Sequence, residues 1–488
     1  MITQELFSTQ INKEGVKAEF KRLLKVAGGS APIIENLFNK AIDPFDVKIA
    51  RLPQLEPAAL EAEFVGLRRG VNELKYYISY LFQAEKELGL TSPKVVQEEL
   101  LAQCDAYLHT LASYLPNVLA WRKEQLPHNF AFQMRSALLK LSGHLETPTF
   151  LDEHALAIQS SVDYLENNFD SLERLVLEQG KSILIQETAE SPLKVLYSYS
   201  GGLYVIMEIK EHLIGHGGGK VCSRALLLQT GEIVAFVRPR LLFAEKEQEL
   251  REIQFKSALR ESDLLFQLSH LKGVVHLKER FFFEIDGIKR VYMIEDLYSN
   301  GALTPLLIAP SPLSQDEKQA IAKELLMAVA NLHAHQIVHA DIKPDNLLID
   351  LNTTPLKAAL CDFNAAFDIR RHHITPQLQT NHPPEFMPFF HGTPDIKEWE
   401  KIDFKAADVW GAGALLHFLF FEQDIPWGHL NQMTQEQEII QWISSLQGEW
   451  IAPEYKTHAL YPLIQAMLSV DPKQRPTAAD ALLIFQRF

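Results

Sequence analysis

The first feature of the chain is a run of apolar residues, spaced alternately by four and three positions, that begins after Pro57. Its members are Leu60, Phe64, Leu67, Val71, Leu74, Ile78 and Leu81. This spacing places all of them on one face of an α-helix. Proline is tolerated in a first helical turn and glycine is common just past a helix end, so the pattern predicts a helix from Pro57 to near Gly89.

Three more helices are predicted in the N-terminal region. The second opens at Ser92 and Pro93 and ends before Pro116, and the third covers about 130–141. The fourth stops at Gly180 and repeats the same spacing in Leu151, Ala155, Ile158, Val162, Leu165, Phe169, Leu172 and Val176. Short connections favour faces that pack on one another, and a surface that binds a regulatory partner is the alternative. We predict an all-α helical bundle over residues 1–180, with a regulatory or targeting role.

The pattern changes after Gly180. Alternating apolar and polar residues predict strands at 182–186, 194–199 and 204–209. Helical spacing returns near Lys246 and dominates after Asp316. Strands first and helices later are typical of a two-lobed α+β domain.

Composition narrows the function classes. The 488 residues include 47 lysines and arginines against 62 aspartates and glutamates, and the net charge of −15 argues against a nucleic-acid partner bound by bulk charge. A hydrophobic fraction of 47% and a charged fraction of 22% are ordinary for a globular protein. Three distant cysteines indicate neither disulfides nor a zinc site, and the most apolar stretch, 410–421, is too short to span a bilayer. We predict a cytoplasmic protein without a membrane span.

The strongest candidate chemistry lies in residues 338–364. One loop carries Asp341, Lys343 and Asn346, and Asp362 follows on a second loop. Predicted strands at 347–349 and 359–361 make the two loops adjacent. Two carboxylates, an ammonium group and a carboxamide can hold a divalent cation, neutralise phosphate and orient a hydroxyl.

These residues resemble the catalytic loop and the metal-binding motif of eukaryotic-type protein kinases, and Lys343 two positions after Asp341 resembles the serine/threonine class. The resemblance implies that Asp341 accepts the proton of a substrate hydroxyl and that Lys343 contacts the transferred phosphate. It also implies that ATP is the phosphate donor and that Asn346 and Asp362 hold Mg²⁺.

Further residues match the family's motifs in order across roughly residues 195–488. By the resemblance, the nucleotide-binding set is Gly215, Gly217, Gly219, Lys220, Arg224, Ala235, Arg238, Glu261, Ile294, Glu295, Leu297, Asn346, Leu348 and Asp362. Glu261 falls at the glutamate of the family's αC helix, Ile294 at the gatekeeper, and Arg475 at the arginine that pairs with Glu385. The implied fold is a bilobal α+β kinase fold, with a β-rich N-lobe over 181–297 and an α-rich C-lobe over 298–488.

The chain departs from the family at the lysine that normally binds ATP. Val237 stands at that position, and valine can pair neither with phosphate nor with Glu261. This resembles the with-no-lysine kinases, in which the missing charge comes from the second strand or the glycine-rich loop. The candidate replacements are Lys220, Arg224 and, through a one-residue bulge, Arg238.

Two more departures concern regulation and the metal loop. Ala340 replaces the arginine that in the family pairs with a phosphorylated activation loop, so we predict activity that does not require loop phosphorylation. Asn364 replaces the glycine after Asp362 and Phe363. Because asparagine tolerates left-handed conformations, we expect the loop to form with less freedom to flip.

The sequence therefore predicts a serine/threonine protein kinase with a relocated cation. One alternative is a pseudokinase scaffold that binds partner proteins, with or without nucleotide, and does not transfer phosphate. A small-molecule kinase is a weaker alternative, because the segment near Glu385 resembles a platform for protein substrates. A divergent kinase with such an appendage also resembles the effector kinases that intracellular bacteria deliver into host cells, which implies host proteins as substrates and the host cytosol as a location.

Overall fold

The fold is seen in a computed structural model, which describes residues 45–87, 94–125, 167–168, 171–172, 174–176, 182–186, 193–207, 213–216, 219–228, 230–240, 248–285, 287–307, 311–370, 402–422, 451 and 453–488. The chain divides into two compact units, residues 1–237 and 238–488. This division falls inside the segment predicted as the N-lobe, and the predicted domain bounds stay predictions.

The first unit opens with helices, as its apolar spacing predicts. Those described are α1 (Phe45–Ile49), α2 (Pro57–Glu87), α3 (Lys94–Ala112) and α4 (Leu115–Gln125). Helix α2 packs against both α3 and α4. The predicted apolar face of α2 is its buried face, because Leu60, Phe64, Leu67, Val71, Leu74 and Ile78 are each at most 8% exposed. The helix predicted from Pro57 is confirmed.

Pro116 lies at the beginning of one helix, in addition to following the predicted end of another. Helix α3 ends at Ala112, and Pro116 lies in the first turn of α4, where its missing N–H is not needed. Helix α4 was not predicted, because a proline signals the end of one helix and the beginning of the next equally well. The third predicted helix lies outside the described residues, as does most of the fourth, of which Leu172 and Val176 are buried.

The first unit continues with strands β1 (Ile183–Gln186), β2 (Leu193–Tyr197), β3 (Leu203–Met207), β4 (Leu213–His216), β5 (Lys220–Leu227) and β6 (Glu232–Pro239). Strands β1, β2, β3 and β5 pair in that order, each antiparallel to its neighbour, and β4 pairs with the other part of β5. The three strands predicted after residue 180 correspond to β1, β2 and β3, with ends that differ by at most two residues.

The second unit begins with helix α5 (Gln248–Leu268), which packs on the hairpin of β7 (Leu277–Ile285) and β8 (Ile288–Asp296). Its other described helices are α6 (Gln315–Ala334), α7 (Phe404–Phe421), α8 (Tyr461–Met467) and α9 (Ala478–Phe485). Helix α6 packs against α7 and α9. Between α6 and α7, β9 (Ile337–Val338) pairs with β12 (Phe367–Asp368), and β10 (Leu347–Asp350) pairs with β11 (Lys357–Leu360). The predicted order of strands and then helices is confirmed.

Helix α7 is the core helix of this unit. Among the described residues it is the one helix long and apolar enough to cross a membrane, but 78% of it is buried. Trp410 is fully buried, and a Cβ on Gly413 would lie only 2.9 Å from the Cβ of Met467 in α8. Such close packing on other helices is the environment of an interior helix.

Candidate active site

The loop between β9 and β10, which carries the predicted catalytic residues, is held by helix α7. Asp408 of α7 is 2% exposed, and its carboxylate accepts hydrogen bonds from the backbone N–H groups of His339 and Ala340, both at 2.8 Å. Ala340 has a φ of 60°, a left-handed conformation that costs a residue with a Cβ about 1–2 kcal/mol. The two hydrogen bonds stabilise this turn, so Asp408 fixes the backbone from which Asp341 projects.

His333 of α6 completes the contacts of the Asp408 carboxylate. Its Nε2 lies 3.0 Å from Oδ2 of Asp408, and His333 itself is 8% exposed. Neither Asp408 nor His333 was predicted as part of the site. This contact arises because α6 packs against α7, and the local spacing of either helix carries no signal for it.

Asp341 is buried and is held by the two residues predicted to act beside it. Its Oδ2 accepts a hydrogen bond from Nδ2 of Asn346 at 2.8 Å and lies 2.9 Å from Nζ of Lys343. The same Nδ2 also donates to the backbone oxygen of Asp341 at 2.8 Å. Among the residues that the structure describes, the side-chain contacts of this carboxylate involve Oδ2. Its Oδ1 is therefore the oxygen that can accept a proton from a hydroxyl.

The environment of Asp341 makes its carboxylate more basic than an ordinary one. Burial, the largest influence, raises the pKa of Asp341 because it disfavours the charged form. The hydrogen bond and positive charge of Lys343 oppose this by lowering the pKa, and the hydrogen bond from Asn346 acts in the same direction. The group thus combines increased basicity with two neighbours that stabilise its charged state, as a general base requires.

The two predicted metal ligands lie on adjacent loops. The backbone oxygen of Asn346 accepts a hydrogen bond at 2.9 Å from the N–H of Cys361, the residue before Asp362. Because Nδ2 of Asn346 faces Asp341, the amide oxygen of Asn346 faces away from it. A carboxylate and an amide oxygen suit Mg²⁺, which takes its remaining ligands from water and phosphate. Among the residues that the structure describes, no group of three or more His, Cys, Asp or Glu side chains could hold a metal ion.

The left-handed residue of the metal loop is not the expected one. Asp362 has a φ of 59°, whereas Asn364 is not among the described non-glycine residues with a positive φ. The expected reason for an asparagine at 364, its tolerance of left-handed backbone, is therefore wrong. Instead, Nδ2 of Asn364 donates a hydrogen bond to Oδ1 of Asp362 at 2.8 Å.

Helix α5 contacts this loop through Glu261. Glu261 is 1% exposed, and its Oε1 accepts a hydrogen bond from the backbone N–H of Phe363 at 3.0 Å. The side chain of Phe363 is fully buried, and its ring centroid lies 4.8 Å from that of His339 in an edge-to-face arrangement. Glu261, the metal loop and the catalytic loop are thus brought together within the second unit.

Four residues of the predicted nucleotide-binding set lie at the end of β8 and in β10. Ile294 is fully buried, Glu295 is 8% exposed, and Leu297, just past the strand, is half-buried. Leu348 in β10 is also half-buried and forms an isolated bridge with Ala302. Their contacts with a nucleotide stay predictions.

The glycines of the predicted nucleotide-binding set lie at the end of β4 and in the connection between β4 and β5. Gly215 pairs with Cys222 across the hairpin, and a Cβ on Gly219 would meet nothing within 4 Å, whereas Gly217 lies outside the described residues. Burial alternates along β5, with Lys220, Cys222 and Arg224 half-buried and the residues between them buried. Because side chains alternate across a strand, Lys220 and Arg224 share one face of β5.

Val237 occupies the position of the missing lysine as a buried residue. Ala235 and Val237 are 7% and 6% exposed, within a run of four buried residues in β6. Arg238 is half-buried and, as the next residue of the strand, points to the opposite face from Val237. Placing Arg238 on the face of Val237 therefore requires the bulge that was proposed from the sequence.

The predicted pair of Arg475 and Glu385 cannot be followed from both sides, because residues 371–400 lie outside the described residues. Arg475 itself is 7% exposed. Its guanidinium donates to the backbone oxygens of Ala406 at 3.0 Å and Ser469 at 2.8 Å, and it lies 4.7 Å from the ring centroid of Trp410. These contacts join α7 to the C-terminal segment.

Comparison with known proteins matches the sequence to a family. The model of the protein kinase domain matches residues 209–484, more than half of the chain. The phosphorylase b kinase gamma catalytic chain, liver/testis isoform, of Homo sapiens is 27% identical over 288 residues, which cover 56% of this chain and 64% of that protein. Sperm motility kinase 2B of Mus musculus is 26% identical over 288 residues, covering 57% and 51% of the two chains.

A probable serine/threonine-protein kinase of Dictyostelium discoideum is 26% identical over 280 residues, which cover 57% of this chain and 55% of that one. The chain thus spans less than two thirds of the length of these relatives. The low identity agrees with the departures at residues 237, 340 and 364. From its family match and the arrangement around Asp341, the chain belongs to the protein kinase domain family as a divergent, eukaryotic-type member.

Proposed function

We propose that this kinase domain is active and transfers the γ-phosphate of ATP to serine or threonine hydroxyls of protein substrates. The observation that carries the proposal is the buried Asp341 carboxylate, whose Oδ2 is held by Asn346 and Lys343 while Oδ1 faces no described partner. This arrangement suits a group that orients a hydroxyl and accepts its proton. The name of the Dictyostelium relative, a probable serine/threonine-protein kinase, supports the serine/threonine class.

The remaining roles follow from the same proposal. Asp362 and Asn346 would hold Mg²⁺, which supplies positive charge to the phosphates when bound. Lys343 lies 2.9 Å from Asp341 with a side chain 20% exposed, which supports its proposed contact with the transferred phosphate beside the base. Charge and position supply most of the catalysis in phosphoryl transfer, so retained groups at these positions support activity.

A cation other than the usual lysine is part of the proposal. Lys220 and Arg224 lie on one half-buried face of β5, and Arg238 follows the buried Val237. Either a lysine or an arginine can neutralise phosphate, and arginine grips it bidentately. We assign the role to one of these three residues. Changing each of them singly to methionine tests which one it is.

A pseudokinase is the second candidate, because one observation favours it. Val237 is 6% exposed within a run of buried residues, so β6 offers no charge at the usual position. In that case the domain would bind partner proteins without transferring phosphate. The two candidates differ in whether label from ATP reaches a protein.

The test is transfer of radiolabelled γ-phosphate from Mg²⁺-ATP to a generic basic protein acceptor by the full chain. We expect Asp341→Asn to lower the rate by about 10²–10⁴-fold, the usual contribution of a general base. Asp362→Ala should abolish both transfer and the Mg²⁺ dependence of nucleotide binding. The matched control is Asp345→Asn, because Asp345 is an exposed residue of the same loop that bonds to Thr304 at 2.9 Å. Its rate should equal that of the wild type.

Other outcomes would decide against activity. No label from the wild type together with no nucleotide-dependent thermal shift would favour the pseudokinase scaffold. Equal transfer by wild type and Asp341→Asn would remove the proposed base.

A further inference from the structure

Asn364 links the metal loop to helix α5. Its Nδ2 donates to Oδ1 of Asp362 at 2.8 Å, and its own side-chain oxygen accepts from Oγ of Ser257 at 3.4 Å. Its backbone oxygen accepts from Nη2 of Arg260 at 2.5 Å. Ser257 and Arg260 both belong to α5. The glycine that the family has at this position would keep only the backbone contact.

The residue that Asn364 contacts needs support. Asp362 has a φ of 59°, and a left-handed conformation costs a residue with a Cβ about 1–2 kcal/mol. Such backbone persists when its surroundings over-determine it. Arg260 and Glu261 are consecutive in α5, and they bond to the backbone of Asn364 and of Phe363, the two residues that follow Asp362.

The side chain of Asn364 adds what backbone contacts cannot supply. A backbone bond fixes where the loop runs but does not act on the side chain of Asp362. The hydrogen bond from Nδ2 ties one carboxylate oxygen directly, and rotation would break it. A charge-assisted hydrogen bond of this kind is stronger than one between neutral groups.

We propose that Asn364 is a positioning residue, which holds the Asp362 carboxylate in the orientation that binds the divalent cation and couples that orientation to helix α5. This inference rests on the proposed function, in which Asp362 is a metal ligand. It gives the asparagine a role that the family's glycine cannot perform. It also makes the position of α5 part of the metal site, since Arg260 and Ser257 hold Asn364 in place.

The test is the Mg²⁺ concentration that gives half-maximal binding of ATP to the full chain. Binding is monitored by the thermal shift of the protein at a fixed ATP concentration. Removing a residue that orients a metal ligand typically weakens metal binding by 10–100-fold, so we expect the midpoint of Asn364→Ala to rise by about tenfold. Asn364→Gly, which restores the family's residue, should raise the midpoint in the same way. It replaces the alanine variant in the test if that variant fails to fold. Binding of ATP without Mg²⁺ should stay unchanged, which a merely structural defect would not allow.

The same titration in the Asp362→Ala background tests whether Asn364 acts through Asp362. There, adding Asn364→Ala should change nothing further, so that the double variant binds ATP with the same Mg²⁺-independent affinity as Asp362→Ala alone. Asn352→Ala is the matched control, because Asn352 is an exposed loop asparagine that donates from Nδ2 to Ser299 at 2.8 Å. Its midpoint should equal that of the wild type.

Failure of the inference differs from failure of the proposed function. If Asp362→Ala loses the Mg²⁺ dependence while Asn364→Ala and Asn364→Gly keep the wild-type midpoint, Asp362 is the ligand and Asn364 does not position it. An additional loss from Asn364→Ala in the Asp362→Ala background would likewise overturn the inference. If wild-type ATP binding shows no Mg²⁺ dependence, the metal site and the inference both fail.

Discussion

At the scale of single residues, the chemistry of Asp341 depends on side chains whose types the sequence shows and whose contacts it does not. Burial raises the pKa of the carboxyl, and Lys343, 2.9 Å away, lowers it. A general base must be deprotonated, so the rate falls as the pH drops through this pKa. The acid limb of the kcat profile should therefore lie above about 3.9, the ordinary value for aspartate.

Lys343→Met should move that acid limb to higher pH. The variant removes the positive charge that favours the ionised carboxylate, so the pKa of Asp341 rises and more of the enzyme is protonated at a given pH. The measurement is kcat against pH at saturating Mg²⁺-ATP. Because Lys343 is also proposed to contact phosphate, kcat should fall at every pH, but the position of the limb reports on Asp341.

Lys343→Arg is the control for this prediction. It keeps the charge and should leave the acid limb near that of the wild type, whatever it does to the maximal rate. An unchanged limb in Lys343→Met would mean that the lysine does not influence the ionisation of Asp341.

At the scale of elements, the seating of α5 on β7 determines where Glu261 lies. Two residues after Glu261, Asp263 forms an ion pair at 2.6 Å with Arg280 of β7, and the two side chains are 2% and 0% exposed. The guanidinium also lies 4.7 Å from the ring centroid of Phe266 and 5.4 Å from that of Phe282. This buried pair therefore fixes the register of the helix against the hairpin.

Arg280→Met should lower the free energy of unfolding by about 3–5 kcal/mol, because it leaves the Asp263 carboxylate buried without its ion-pair partner. Urea unfolding measures the change. The matched control is Lys278→Met, whose ion pair with Asp296 is partly exposed, with side chains 23% and 40% accessible. It should cost less than about 1 kcal/mol.

The double variant Asp263→Leu with Arg280→Met separates loss of a partner from loss of packing. Replacing a buried ion pair by apolar residues is often neutral or stabilising, so the double variant should recover most of the lost stability. A loss for Arg280→Met no larger than that for Lys278→Met would contradict the proposed importance of the pair.

At the scale of the whole molecule, the catalytic residues occupy only part of the chain. The family match covers residues 209–484, and the proposed site residues lie between 215 and 362. The first 180 residues carry helices with buried apolar faces and contribute none of the proposed site residues. Their predicted regulatory or targeting role stays a prediction, as do the cytoplasmic location and host delivery.

Residues 181–488 made alone should bind Mg²⁺-ATP as the full chain does, because every residue in the proposed site is retained. Thermal shift against ATP concentration compares the two proteins. The same fragment with Asp362→Ala should lose the Mg²⁺ dependence of the shift. A folded fragment without any ATP response, beside a full chain that responds, would show that the N-terminal region is required for binding.

The sequence alone determined the element types and the residue types of the site. The four-and-three spacing from Leu60 to Ile78 specified the buried face of α2, because a helix repeats every 3.6 residues. The alternation of apolar and polar residues after Gly180 specified β1 to β3, because successive side chains of a strand point to opposite faces. Asp341, Lys343 and Asn346 were found from their residue types and their match to the kinase motif, and their contacts are local, within five residues of one another.

Only the tertiary structure decided how these residues are supported. Asp408 contacts His333 across 75 positions, and Arg260 contacts Asn364 across 104. Such partners are selected when one helix packs against another element, and periodicity within either element carries no information about the choice. The left-handed Asp362 was likewise missed, since its conformation is stabilised by contacts from α5 and the metal loop rather than by its own preference. Local spacing therefore fixed the composition of the site, and packing between distant elements fixed its geometry.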